Sequence, residues 1–153
     1  MKTITLPALV ILFSLSLVFT STALAKEKDE DESTSDEDVT IEKTVLAREV
    51  EDRFEPVKSF KSDDTFAVLV FLSEPKIGTH VKAIWTIVDA GGTENKEILE
   101  KEVEITAKAI EGVEEPNRIN FSLTHDDPFP AGDYKTEIYL NDELVKTVEF
   151  KVK

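Results

Sequence analysis

The sequence predicts an all-β sandwich of seven strands, and three observations lead there. Beyond Thr40, apolar and polar residues alternate along short runs, which is the period of a strand with one buried face. Turn-forming residues separate the runs: Pro75 and Gly78, then Asp89-Ala90-Gly91-Gly92, then Pro128, Pro130 and Gly132, then Asn141-Asp142. Seven such runs fall within residues 40–153, a length that suits one two-layer domain.

The first strand is expected over residues 44–50. Asp63 and Asp64 precede residues 65–72 (TFAVLVFL), which are apolar on both faces and suit a central strand covered twice. If Phe66, Val68, Val70 and Leu72 face the core, then Ala67, Leu69 and Phe71 face out and need a cover. That cover is either the segment 45–54 or another protein; the sequence favours the chain's own segment. Alternation returns over 79–88, with Val81, Ala83, Trp85 and Ile87 on one face and His80, Lys82, Ile84 and Thr86 on the other.

Residues 96–110 (KEILEKEVEITAKAI) fit two periods. Leu99, Val103, Ala107 and Ile110 form a helical stripe, whereas Val103, Ile105, Ala107 and Ala109 alternate as in a strand. The strand agrees better with all-β neighbours. Over 118–124, Ile119, Phe121 and Leu123 are expected to face inward. Residues 134–140 and 143–152 make the last two strands, joined by Asn141-Asp142, a pair that tolerates positive φ and suits a tight hairpin. On the final strand Leu144, Val148, Phe150 and Val152 share a face, interrupted by Lys146.

Ahead of this domain lie two segments of different character. Lys2 precedes an apolar stretch from Leu6 to Phe19, and Ala23-Leu24-Ala25 ends it with small residues. This is the pattern of a secretory signal peptide over residues 1–25, too short and wrongly flanked for a stable membrane span. Residues 26–39 (KEKDEDESTSDEDV) are polar up to Val39 and read as a disordered acidic linker. The sandwich domain is expected over 40–153. The location implied is extracytoplasmic, periplasmic or secreted.

Trp85 falls on the third strand, and FPAGDY, from Phe129 to Tyr134, opens the sixth. In immunoglobulin-like domains a core Trp occupies the third strand and a Tyr starts the sixth at a corner. Thr136 stands where the second Cys of an antibody-type domain would fall, and the chain has no Cys at all. Three stretches, EPVKSFKSDDTF (55–66), GTHVKAIW (78–85) and FPAGDYKTEIYLNDELVKTVEFKV (129–152), resemble an uncharacterised immunoglobulin-like module of bacterial extracytoplasmic proteins. The resemblance covers most of 44–152. It implies a fold, and it brings no catalytic residues with it.

Composition narrows function further. There are 18 basic and 32 acidic residues, for a net charge of −14. Such a surface repels nucleic acid and anionic lipid, because phosphate binding needs clustered Lys and Arg. Without cysteine, thiol catalysis, Cys-type zinc sites and lipid attachment at an N-terminal Cys are not expected. His80 and His125 have no metal-ligand spacing between them, and His125-Asp126-Asp127 reads as a polar loop rather than a metal site. The acidic run of 29–38 lacks the Gly and closing Glu of a calcium loop. No serine sits in a nucleophile elbow. No cofactor, no metal and no enzymatic activity are expected.

What remains is a non-catalytic binding module with an envelope-protein partner. Its core is expected to hold Trp85, Tyr134, Phe121 and Phe150. Candidate binding residues are Phe129, set among prolines, together with Phe71 and Leu69 on the outer face of the second strand. The final strand, at the chain end, is a candidate sheet edge, with Lys146, Lys151 and Lys153 discouraging indiscriminate pairing. The alternative is an envelope protease inhibitor or chaperone-like protein acting through the loop 125–132, stiffened by Pro128 and Pro130.

Overall fold

The structure, a computed structural model, describes residues 38–153; the leader expected at 1–25 and the acidic linker up to residue 37 lie outside the described residues. The chain runs β1 (Ile41–Val50), β2 (Arg53–Pro56), β3 (Ser59–Phe60), β4 (Thr65–Leu72), β5 (His80–Ala90), β6 (Thr93–Glu104), α1 (Ala107–Ile110), β7 (Arg118–Leu123), β8 (Gly132–Leu140) and β9 (Glu143–Val152). One sheet has the order β2-β1-β4-β7 and the other β3-β9-β8-β5-β6. All ladders are antiparallel except the short one between β3 and β9. The result is a two-sheet sandwich with seven long strands and two short additions, β2 and β3.

Between the sheets lies one core. Phe66, Val68, Val70 and Leu72 of β4 face it, with Ile119, Phe121 and Leu123 opposite them on β7. The other sheet contributes Val81, Ala83 and Trp85 from β5, Tyr134 and Ile138 from β8, and Phe150 and Val152 from β9. Trp85, Tyr134, Phe121 and Phe150 are all buried. Val39 is buried there too.

Local chemistry explains the turns. Asn141 and Asp142 both have positive φ and connect a two-residue hairpin closed by Leu140 and Glu143. Gly91 and Gly92 do the same between β5 and β6. A third hairpin was hidden in the sequence: Glu51 (φ 48°) and Asp52 (φ 62°) turn β1 into β2, closed by Val50 and Arg53. Glu is a poor signal for a left-handed turn, so the sequence showed one strand here where there are two.

Residues 96–110 divide between the two readings. The strand continues to Glu104, and residues 107–110 form a single helical turn, which corrects the strand expected there. Thr106 caps it, its Oγ1 accepting from the Ala109 N–H at 3.2 Å.

Tyr134 makes the corner that the resemblance implied. Its hydroxyl donates to the Pro130 carbonyl at 2.7 Å, tying the start of β8 to the loop before it. Burial raises its pKa above the ordinary 10.0, since the charged phenolate is disfavoured away from water. The folded state therefore holds this proton more tightly than the unfolded state. The contribution is fully present below about pH 10 and is lost as pH rises through the raised value.

Three outcomes follow. Tyr134→Phe should cost about 1–3 kcal/mol in urea unfolding at neutral pH, by leaving the Pro130 carbonyl unpartnered. The same variant should lack the part of any alkaline decline in stability above about pH 10 that comes from Tyr134, read by urea unfolding of parent and variant across that range. Glu51→Gly should raise stability by about 1 kcal/mol, because Gly adopts the left-handed conformation without a Cβ penalty; thermal melting reads this directly.

Candidate functional site

The outer face of β4 is covered by the chain itself. Ala47, Ala67 and Leu69 form a second small buried cluster, packed against Val45, Phe54 and Phe71. These come from β1, β2 and β4, so the β1–β2 hairpin supplies much of the cover. The Ser122 hydroxyl donates to Glu49 Oε2 at 2.7 Å, crossing from β7 to β1 over β4. The Lys43 ammonium lies 5.7 Å from the Phe71 ring centroid. Leu69 is buried and Phe71 half-buried, so neither presents the open apolar strip that would make it a binding residue.

Phe129 is likewise a core residue rather than an exposed anchor. Its ring stacks on Phe66 at 4.4 Å, meets His125 at 3.7 Å and faces Tyr134 edge-on at 6.2 Å. Its backbone N–H donates to the Ser62 carbonyl at 2.8 Å. Of the two readings of this residue, a cap over the end of the sandwich and an exposed anchor, the buried ring matches the cap.

Exposed apolar side chains occur near the β9 edge, at Ile77, Leu144 and Val145, and away from it at Val50, Val103 and Val113. β3 pairs with β9 only through Ser59 with Lys151 and Phe60 with Val152. Among the described residues, β9 from residue 143 to 149 therefore has a strand on one side only, and its other edge is open. β1 lies across from it in the other sheet, and the two are not paired. Two cavities open into this gap. One, of about 590 Å³, is lined by Val39, Ile41, Ile77, Leu140, Val145 and Lys146 among others. The second, of about 510 Å³, is lined by Val45, Leu46, Val57, Lys58 and Val148 among others. Ile77 is 61% exposed, Leu144 47% and Val145 42%.

A β-bulge shapes this edge. Ile138 opposes Lys146 and Tyr139 opposes Leu144, so Val145 is the extra residue. The bulge reverses the face of everything before it. Leu144, expected inward, sits opposite Tyr139 on the outer face, whereas Lys146 sits opposite buried Ile138 on the core side. The consecutive apolar pair Leu144-Val145 was the available signal, since an unbroken alternation would not place them together.

Lysines line the edge in different states. Lys151 bonds Asp133 at 2.5 Å, and that hydrogen bond, with the attraction of the carboxylate, holds its pKa above the ordinary 10.5. Lys146 and Lys58 have no ion-pair partner among the described residues. His80 Nδ1 is 3.0 Å from Glu102 Oε1 on the surface, and the His125 ring meets Phe129 at a tilt. Among the described residues no group of three or more His, Asp or Glu is arranged to hold a metal ion, and no helix is long and apolar enough to cross a membrane.

Comparison with solved structures agrees with this architecture. The chain is similar to an immunoglobulin-like protein of Pseudomonas aeruginosa, with a TM-score of 0.52 and 14% identity over 76% of this chain and 97% of that one. A candidate lipoprotein of Bacillus anthracis also matches, with a TM-score of 0.35 and 10% identity over 76% of this chain and 84% of that one. The first likeness shows an immunoglobulin-like fold. No protein-family model matches the chain, and no curated protein matches it in sequence.

Substitution separates surface from core. Ile77→Ser and Leu144→Ser should each change stability by less than about 0.5 kcal/mol, as exposed positions do. Phe129→Ala should cost about 3–5 kcal/mol. Urea unfolding of the three variants checks both.

Proposed function

We propose that this chain is a non-catalytic extracytoplasmic binding module that engages an envelope protein through the open edge of β9. The observation that carries the reading is that edge: residues 143–149 have an unpaired side, flanked by two cavities and by exposed Ile77, Leu144 and Val145. A sheet edge with unsatisfied backbone groups is a ready template for an added strand. The leader-like residues 1–25 support the location, and the acidic composition supports a protein partner over nucleic acid or anionic membrane. The absence of a catalytic motif in the sequence supports the non-catalytic part.

Action through the loop 125–132 as a protease inhibitor or chaperone-like element fits less well. Phe129 and the Pro130 carbonyl are both committed inside the domain, to Phe66 and to Tyr134. An inhibitory loop needs those groups free to meet its target.

A photo-cross-linking residue placed at Thr147 in the full chain, in its native host, tests the reading. Thr147 is exposed on the open edge, and Glu100 on β6 serves as the exposed control. One envelope protein captured from position 147 and not from position 100 is the expected result. Capture that is equal at both positions, or absent at 147, would overturn it.

A further inference from the structure

The chemistry of the open edge narrows what can occupy it. With Glu143, which opposes buried Leu140, Lys146 is one of two charged residues on the core-side face of β9; the others on that face are Val148, Phe150 and Val152. It lines the larger cavity beside Leu140, Val39 and Ile41. Asp38 and Glu143 line the same cavity, yet neither comes within ion-pair distance of the Lys146 ammonium. Lys146 is exposed and the cavity lining is mixed, with Thr40, Thr79 and Asn141 beside the apolar residues; a cation there without a carboxylate partner favours a ligand that brings one, by the modest amount of a surface ion pair. Two residues along, Val148 faces the second cavity with Leu46 and Val57. Side chains two apart on a strand share a face.

We infer that the occupant is an extended strand of the partner protein, carrying a carboxylate that meets Lys146 and, two residues away, an apolar side chain that meets Val148. The spacing of two holds whether the strand runs parallel or antiparallel to β9, because opposed residues keep step in either direction. Backbone hydrogen bonds to the free edge supply the affinity, and this pair of side chains supplies the selection. A second copy of this chain is a poor occupant. Antiparallel pairing of β9 about Lys146 sets Lys146 against Lys146 and Glu143 against Glu149, and like charges directly opposed are destabilising.

The inference rests on the open edge being the binding surface, and the test separates the two. The probe is a fluorescein-labelled Thr/Ser peptide with a single Glu and, two positions on, a single Val. Its binding to the full chain is read by fluorescence anisotropy, against a matched peptide with Lys in place of Glu and another with Glu and Val adjacent. The Glu peptide should bind the parent about fivefold or more better than either control. In Lys146→Glu, an exposed substitution that leaves the core intact, the preference should reverse toward the Lys peptide. The reversal is the decisive readout, since a merely unfolded variant binds neither peptide.

Equal binding of all peptides to the parent would overturn the inference while leaving the edge as the binding surface. No peptide binding, with cross-linking from position 147 still selective, would also overturn it and point to a folded partner surface. Failure of both experiments removes the edge itself. Sedimentation as a stable dimer that Lys146→Glu disrupts would overturn it in favour of a second copy.

Discussion

Phe66 on β4 is the residue through which the two sheets hold each other. Its ring contacts Phe60 at 4.4 Å, Phe129 at 4.4 Å, Phe150 at 5.6 Å and Tyr134 at 6.1 Å. Phe60, Phe150 and Tyr134 belong to β3, β9 and β8 of the facing sheet, and Phe150 in turn meets Trp85 at 5.9 Å. Aromatic contacts of this kind contribute about 0.5–1.5 kcal/mol each beyond simple burial. Four around one ring are comparable with the roughly 2–4 kcal/mol that an inter-sheet disulfide contributes. The chain has no cysteine, and the ring cluster joins the sheets where a covalent bridge does so in antibody domains.

That arrangement has consequences at both ends of the loop 125–132. Because Phe129 completes the cluster, the loop is committed to the core, and Tyr134 fixes it from the other side through Pro130. Thr136 lies across the β5–β8 ladder from Trp85, and both the Thr136 hydroxyl and the Trp85 indole N–H are buried without a hydrogen-bond partner. Two orphaned polar groups side by side are a cost that the surrounding packing offsets.

The edges of the sheets are treated unequally. At β6 and β7 the gap between sheets is bridged by Lys101, whose ammonium donates to the Ser122 carbonyl at 2.7 Å. Glu97, Glu100 and Glu102 sit along β6 opposite Thr86, Ile84 and Lys82, and this run of charge opposes strand addition there. On the other side, β3 covers β9 for two residues only, and the remainder carries a bulge and one core-side lysine. Those devices restrict pairing without closing the edge. An edge that is left partly open is the physical basis for proposing β9 as the binding surface.

Much of the fold was legible in the chain itself. Period-two alternation located the long strands, and Asn141-Asp142 and Gly91-Gly92 marked two of the three hairpin turns because their conformations are local. Trp85 and Tyr134 could be placed by their positions on strands. Glu51-Asp52 escaped because tertiary pairing of β1 with β2 holds Glu in a conformation it does not prefer. The site was less legible. For Leu69 and Phe129 the sequence left a buried and an exposed reading open, and the cross-strand cover and the ring cluster decide that they are buried. Leu144 and Lys146 exchange faces through a bulge whose presence depends on the partner strand β8. The sequence by itself determined strand identity, core composition and the lack of a covalent bridge, since these follow from residue type and period. The final strand was already a candidate edge in the sequence, but tertiary structure alone decided how much of it stays open and that Lys146 faces the core side, because pairing is set between segments far apart in the chain.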